Sequence, residues 1–159
     1  MHSIRRAVST DAAAIGALVK RLIGDSLIDV GSEEAQRFFA TLSPEEVVKS
    51  LALPQRFYAV AEVNQTVSGM IMVRNANHVG QFFVTAEQQG KGVGSALWRF
   101  ALAHAVAMGG SGEFTVRSSV AAEPVYRRLG FQPTGPVEVQ QGFRFIPMRR
   151  SCEPAAQAR

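Results

Sequence analysis

The segment from 79 to 95 is the part of this chain best suited to bind a phosphate group. A strand-like apolar run from Val79 to Val84 leads into a turn with glycines at 90, 92 and 94. Glycines let the backbone approach an anion closely, and the N-terminus of a following helix attracts negative charge. Lys91 adds a full positive charge. The spacing fits neither a P-loop nor a dinucleotide fingerprint, so it predicts another kind of phosphate site, with an ordinary glycine-rich turn as the alternative.

The elements around this turn predict one α/β domain over residues 1–150, followed by a flexible tail over 151–159. The spacing of Ile15, Leu18, Val19 and Leu22 indicates a first helix. Two short helices begin at serines 32 and 43. Alternating residues then predict antiparallel strands over 57–63, 67–73 and 79–84. The remaining predicted elements are a first strand over 2–8, a helix over 93–108, a strand over 113–117, a helix over 121–129 and a strand over 143–148.

Two motifs, some thirty residues apart, carry a family resemblance. They are Gln89-x-x-Gly92-x-Gly94 and Ala122-x-x-x-Tyr126-x-x-x-Gly130-Phe131. Together they resemble the acyl-CoA loop and the later helix of the GNAT superfamily of acetyl-CoA-dependent N-acetyltransferases. The element order over 4–148 agrees, so the resemblance covers nearly the whole chain. It implies the GNAT fold: a mixed, mostly antiparallel twisted sheet of six or seven strands with helices on both faces. That sheet would splay after Val84 and Arg117 to admit acetyl-CoA.

The resemblance also implies which residues bind acetyl-CoA. The backbone of Phe83 and Val84 would bond the pantetheine arm, and main-chain N–H groups of the turn would bond the pyrophosphate. Ser119 stands where many family members carry an asparagine that contacts CoA, so we expect a weaker or water-mediated contact there. The matched cofactor-binding positions are Phe83, Val84, Gln89, Gly90, Lys91, Gly92, Val93, Gly94, Ser95 and Ser119.

Two residues receive proton-transfer roles from the same resemblance. Tyr126 occupies the position of the usual general acid, which protonates the departing CoA thiolate, and it would also pack beneath the next strand. His78 stands where family members often place a glutamate as general base, and an ordinary imidazole pKa near 6.5 suits that role. An exposed turn histidine is the alternative, and Glu62 and Glu123 are lesser candidates. Arg117 would bind an anionic group of the acceptor or be a plain exposed arginine.

Composition excludes several other classes of protein. The chain has 159 residues, 47% of them hydrophobic, which rules out a disordered or coiled-coil protein. The sequence contains no apolar run of the length that a membrane span or signal peptide requires, so a cytoplasmic location is expected. The single cysteine, Cys152, cannot form an internal disulfide, and the sequence shows no metal-ligand cluster. The sequence pI is about 9.8, but the basic residues are scattered pairs, and the net charge of +4 suits a small anionic ligand as well as a nucleic-acid backbone.

The resulting prediction is an N-acetyltransferase that moves an acetyl group directly from acetyl-CoA to a primary amine. It would form no acyl-enzyme and use no metal, nucleic acid or membrane. The acceptor, a small molecule or a peptide, is not readable, although the resemblance assigns its selection to segments 24–55 and 134–145. A homodimer is a further expectation from the family. Two alternatives stay open: a non-catalytic acyl-CoA sensor or scaffold of the same fold, and a nucleic-acid-associated protein.

Overall fold

Eight strands form the sheet of the computed structural model, which describes residues 1–151. In space they follow the order β1-β2-β3-β4-β5-β8-β6, and β7 pairs with β8. Neighbours are antiparallel except for β4 and β5, which run parallel. The strands are β1 (His2–Arg6), β2 (Arg56–Val63), β3 (Thr66–Arg74), β4 (His78–Val84), β5 (Phe114–Ser118), β6 (Gln132–Pro133), β7 (Glu138–Gln140) and β8 (Phe143–Arg150).

The mixed, mostly antiparallel sheet predicted from the sequence is confirmed, with a small difference in strand number. β6 and β7 contain only two and three residues. Strands this short cannot display an alternating pattern, so the sequence predicts six or seven strands. Residues 152–159 of the expected tail, including Cys152, lie outside the described residues.

Helices cover both faces of the sheet and enclose two apolar clusters. One cluster joins the sheet to α4 and α5 and includes Leu97, Trp98 and Phe131. The other joins the opposite face to α1–α3 and includes Ile15, Val19 and Met70. The helices are α1 (Ala12–Leu22), α2 (Glu33–Ala40), α3 (Pro44–Leu51), α4 (Val93–Ala107) and α5 (Glu123–Arg128).

Local chemistry explains where several of these elements begin and turn. Ser32 and Ser43 cap α2 and α3, since each hydroxyl accepts a hydrogen bond from a backbone N–H three residues ahead. Asn64 and Gln65, between β2 and β3, both have positive φ angles of 51° and 63°. Two consecutive residues of this kind match the twist of a tight hairpin. The hairpin therefore places β3 beside β2, and the other edge of β3 pairs with β4, the strand that borders the candidate site.

Candidate active site

The sheet opens between β4 and β5. These strands pair only where His78–Val79 faces Thr115–Val116. Directly after this, the pairing of β4 with β3 shifts between Met72 and Val73 and leaves Gly80 as an extra residue in β4. Such a bulge bends a strand and increases its twist. From Gly80 to Val84, β4 therefore runs beside a wedge-shaped gap with its backbone unpaired on the β5 side.

The glycine-rich turn lies at the open end of this gap. It connects the end of β4 to α4, and Gly92 is the residue that directly precedes the helix. Gly90 and Gly92 have φ angles of +78° and +85°, and a Cβ atom at either position would meet no other atom within 4 Å. Glycine is therefore required here by backbone conformation rather than by crowding. Gly94 and Ser95, in the first turn of this 15-residue helix, remain at least partly exposed beside the open edge of β4, and a helix N-terminus of this kind attracts anions.

The other predicted cofactor-binding residues of the turn differ in exposure. Val93 is 1% exposed, whereas Gly94 is partly exposed and Lys91 and Ser95 are exposed. Gln89 Nε2 donates a hydrogen bond to the carbonyl oxygen of Val84 at 3.0 Å. This bond fixes the turn to the end of β4, and the carbonyl keeps a second lone pair for another donor. Gln89 therefore positions the loop in addition to lining it.

Tyr126 lies on α5 against the gap. Its side chain is 6% exposed and packs edge-to-face with Phe82 of β4 at 6.0 Å and with Phe131 at 5.4 Å. Burial raises the pKa of its phenol above the ordinary value of 10, so the group stays protonated at physiological pH. Within residues 1–151, Arg56 Nε is the only fully buried side-chain nitrogen or oxygen that lacks a partner. The Tyr126 hydroxyl, which bonds no described residue, therefore retains access to solvent.

Ser119 begins the turn that leads into α5. Its Oγ accepts a hydrogen bond from the backbone N–H of Ala122 at 3.1 Å. A hydroxyl that accepts one bond still carries its own proton. Ser119 can therefore donate to a ligand in the gap, although its side chain is shorter than the asparagine common in the family.

His78 lies where β4 and β5 still pair, and its surroundings give it a pKa different from that of an ordinary histidine. Its Nδ1 is 2.7 Å from Thr115 Oγ1. Burial, followed by the charges of Arg74 and Arg117, lowers its pKa to about 4. The expectation of an ordinary pKa near 6.5 is therefore wrong for the free protein. His78 is neutral at pH 7 and able to accept a proton, but it is a weak base.

The two other candidate bases are held by ion pairs. Glu62 lies on β2, two strands away from β4, and accepts a bond from Arg5 Nε at 2.9 Å. Glu123 opens α5 and accepts a bond from Arg127 at 2.7 Å. His78 is the one candidate among these three that borders the opening between β4 and β5.

The two segments expected to select the acceptor contact each other. Ile28 N donates to the carbonyl oxygen of Gly142 at 3.0 Å, and Phe38 of α2 packs edge-to-face with Phe143 of β8 at 5.2 Å. A cavity of about 300 Å³ lies between them. Its lining residues are Glu34, Arg37, Phe38, Thr41, Gln141 and Phe143. Phe83 of β4 packs into the same apolar cluster as Phe38 and Phe143, so this cavity lies on the α1–α3 side of the sheet.

Sequence reasoning missed two features of the site, Gly80 and Arg74. A lone glycine inside a strand pattern is a recognised sign of a bulge, so Gly80 carried a usable signal. Arg74 carried none, because an arginine at a strand end is ordinary and its position depends on the pairing of β3 with β4.

Comparison with known proteins establishes the family. A family model described as an acetyltransferase (GNAT) domain matches residues 26–152. The chain therefore belongs to the GNAT acetyltransferase family, and acyl transfer is the class of reaction that follows. A search of the curated proteins finds no match.

Solved structures show the same fold at low sequence identity. The PaiA N-acetyltransferase from Thermoplasma acidophilum, solved in complex with coenzyme A, superposes with a TM-score of 0.76 at 15% identity, over 94% of this chain and 98% of that one. An N-acetyltransferase from Staphylococcus aureus Mu50 gives a TM-score of 0.71 at 17% identity, over 96% and 99%. A GCN5-related protein from Rhodopseudomonas palustris gives 0.69 at 20% identity, over 94% of each chain.

Two structural features are absent from the part of the chain that the structure describes. No helix within residues 1–151 is long and apolar enough to cross a membrane. The same part of the chain contains no group of three or more His, Cys, Asp or Glu side chains that could hold a metal ion.

Proposed function

We propose that this protein transfers an acetyl group from acetyl-CoA directly to a primary amine. The observation that carries the proposal is the gap between β4 and β5, with the exposed N-terminus of α4 at its open end. A ligand with a pyrophosphate and a long, amide-bearing arm fits this combination, because the helix start attracts the anion and the free edge of β4 offers backbone hydrogen bonds. A solved relative of the same fold is a coenzyme A complex.

The proposed reaction is a single displacement in which His78 and Tyr126 move protons. His78 accepts a proton from the acceptor ammonium, directly or through a water molecule. The free amine then attacks the thioester carbonyl carbon, so that a C–N bond forms and the C–S bond breaks. The departing thiolate takes the proton of the Tyr126 hydroxyl, which burial keeps protonated. The newly acylated nitrogen then loses its remaining extra proton, which returns to the Tyr126 phenolate directly or through water. The products are an N-acetylated amine and free CoA.

The test is CoA release with a broad panel of amines, covering small amines, amino acids, aminoglycosides and peptides. We expect one free thiol for each acetylated product identified by mass spectrometry. Absence of acetyl-CoA binding in calorimetry would overturn the proposal.

A second candidate function is an acyl-CoA sensor or scaffold that performs no transfer. Two observations favour it: the weak basicity of His78 and a serine at position 119, where many family members carry asparagine. This candidate predicts acetyl-CoA binding without thiol release for any amine in the panel. Thiol release that depends on an added amine would exclude it.

A further inference from the structure

A row of basic side chains crosses the sheet beside the gap. Arg56 of β2 lies directly opposite Arg74 of β3, and Arg74 lies opposite His78 of β4. His78 in turn faces Thr115 of β5. Arg117, two residues beyond Thr115, lies on the same face, because side chains alternate along a strand. This is the α1–α3 face, opposite the one on which α4 packs.

Two of these arginines stand on the two sides of the point where the gap opens. The Arg74 Nε lies 3.5 Å from the position that a Cβ atom would take at Gly80, so its guanidinium group lies over the bulge. Arg117 follows Val116, the last β5 residue paired with β4, and therefore stands across the gap from Gly80. Its guanidinium packs on the Phe145 ring at 4.7 Å. Arg74 and Arg117 thus flank the mouth of the gap on its two sides.

Neither arginine has an acidic partner within residues 1–151. The ion pairs of that part of the chain involve Arg5, Arg37, Lys49, Arg127 and Arg149 as the cations. Like charges directly opposite each other in a sheet, such as Arg56 and Arg74, are destabilising. Both Arg74 and Arg117 also oppose protonation of His78, which places His78 within their positive field. An anion bound between Arg74 and Arg117 would offset the positive charge of both arginines.

We propose that Arg74 and Arg117 bind an anionic group, a carboxylate or a phosphate, carried by the acceptor close to its reacting amine. This inference rests on the proposed acetyl transfer and names the acceptor class of the same site. The anion takes no part in the bond changes, and its role is to hold the amine beside His78. Amino acids and amines with a nearby phosphate are the acceptors of this class.

An anion bound between Arg74 and Arg117 would also change the basicity of His78. Its low basicity in the free protein has burial as the main cause and the two arginines as the next causes. A bound anion offsets the charge of those arginines and so makes His78 a stronger base only when the acceptor is present. Neutral acceptors lose this assistance in addition to the direct contact with the arginines.

The experiment compares matched amines that differ in the anion. One arm uses an α-amino acid and its uncharged amide, and the other uses an aminoalkyl phosphate and the corresponding amino alcohol. Rates are expressed per free-base amine, because the anion also changes the amine pKa. We expect kcat/KM to favour the anionic member of at least one pair by about 10- to 100-fold, as charge-assisted hydrogen bonds do. The arm that shows the preference distinguishes carboxylate from phosphate.

Variants locate the preference on the two arginines. Arg74→Gln and Arg117→Gln are each expected to remove most of it. Each substitution also removes a charge that opposes protonation of His78, so the rate with the neutral member should rise rather than fall. Arg117→Lys keeps the charge and is expected to restore part of the preference. Arg99→Gln, an exposed arginine of α4, is the matched control and is expected to keep the full preference. Thermal unfolding of each variant checks that it is folded.

The result that overturns the inference is distinct from failure of the proposed function. Equal kcat/KM for the anionic and neutral members of both pairs overturns it, as does a preference that survives both glutamine substitutions. If no amine gives turnover, the proposed transfer fails, and calorimetry of the same pairs on CoA-saturated protein decides the inference. Tighter binding of the anionic member, lost in Arg117→Gln, supports the anion site, and equal binding rejects it.

Discussion

Removal of the Tyr126 hydroxyl separates a catalytic role from a packing role. The ring of Tyr126 packs between Phe82 and Phe131, and phenylalanine preserves these contacts. The hydroxyl bonds no described residue, so we expect Tyr126→Phe to change the free energy of unfolding by less than about 0.5 kcal/mol. Loss of the acid should nevertheless lower kcat by about 10²- to 10⁴-fold. This corresponds to a barrier increase of about 2.7–5.4 kcal/mol.

The assay is single-turnover CoA release, which isolates the chemical step from product release. Acetyl-CoA affinity, measured by calorimetry, should remain nearly unchanged, because the hydroxyl acts only as the C–S bond breaks. Burial raises the Tyr126 pKa above 10, so the wild-type rate should show no alkaline decline from this group below about pH 10. A variant that turns over at the wild-type rate would remove Tyr126 from the mechanism.

Tyr58→Phe is the matched control for this substitution. The Tyr58 hydroxyl is 2.6 Å from Ser50 Oγ, on the opposite face of the sheet from Tyr126. Its loss should lower the free energy of unfolding by about 0.5–1.5 kcal/mol and leave turnover unchanged. If both variants lost stability and activity together, Tyr126 would be a packing residue only.

Three further predictions concern the glycine-rich turn, the pKa of His78 and the cavity beside Phe143. Gly92→Ala should lower the free energy of unfolding by about 1–2 kcal/mol, because residue 92 has a positive φ. Gly94→Ala, inside α4, should instead raise the free energy of unfolding by up to about 1 kcal/mol. Denaturant unfolding checks both values, and a result in which Gly92→Ala is the more stable variant would contradict the strain argument. His78 takes up its proton at higher pH when unfolded, so wild-type stability should fall from pH 6.5 towards about 4, with a shallower fall in His78→Gln. Equal slopes would show that folding does not lower this pKa. Phe38→Ala opens the cavity beside Phe143 and should raise the acceptor KM without changing acetyl-CoA affinity; an unchanged acceptor KM would place the acceptor elsewhere.

Short-range signals in the sequence were sufficient to predict the fold class and the glycine-rich turn that precedes α4. The glycines at 90 and 92 mark a turn whose conformation depends on a few adjacent residues, and α4 follows directly from it. Serine caps and alternating strands are equally local. The family model confirms the family that these motifs predict. The proton-transfer roles of Tyr126 and His78 remain predictions.

Only the tertiary structure decided the electrostatics around His78 and which remote segments enclose the cavity beside Phe143. The pKa of His78 depends on burial and on Arg74 and Arg117, and Arg117 is brought near it by a parallel pairing that joins residues 37 positions apart. The cavity beside Phe143 likewise lies between two segments that are remote in the sequence and that a hydrogen bond from Ile28 N to the Gly142 carbonyl oxygen joins. Residue type and spacing determine which groups the chain carries. Their charge state and their partners depend on solvent exclusion and on distances between remote segments, which exist only once the sheet has formed.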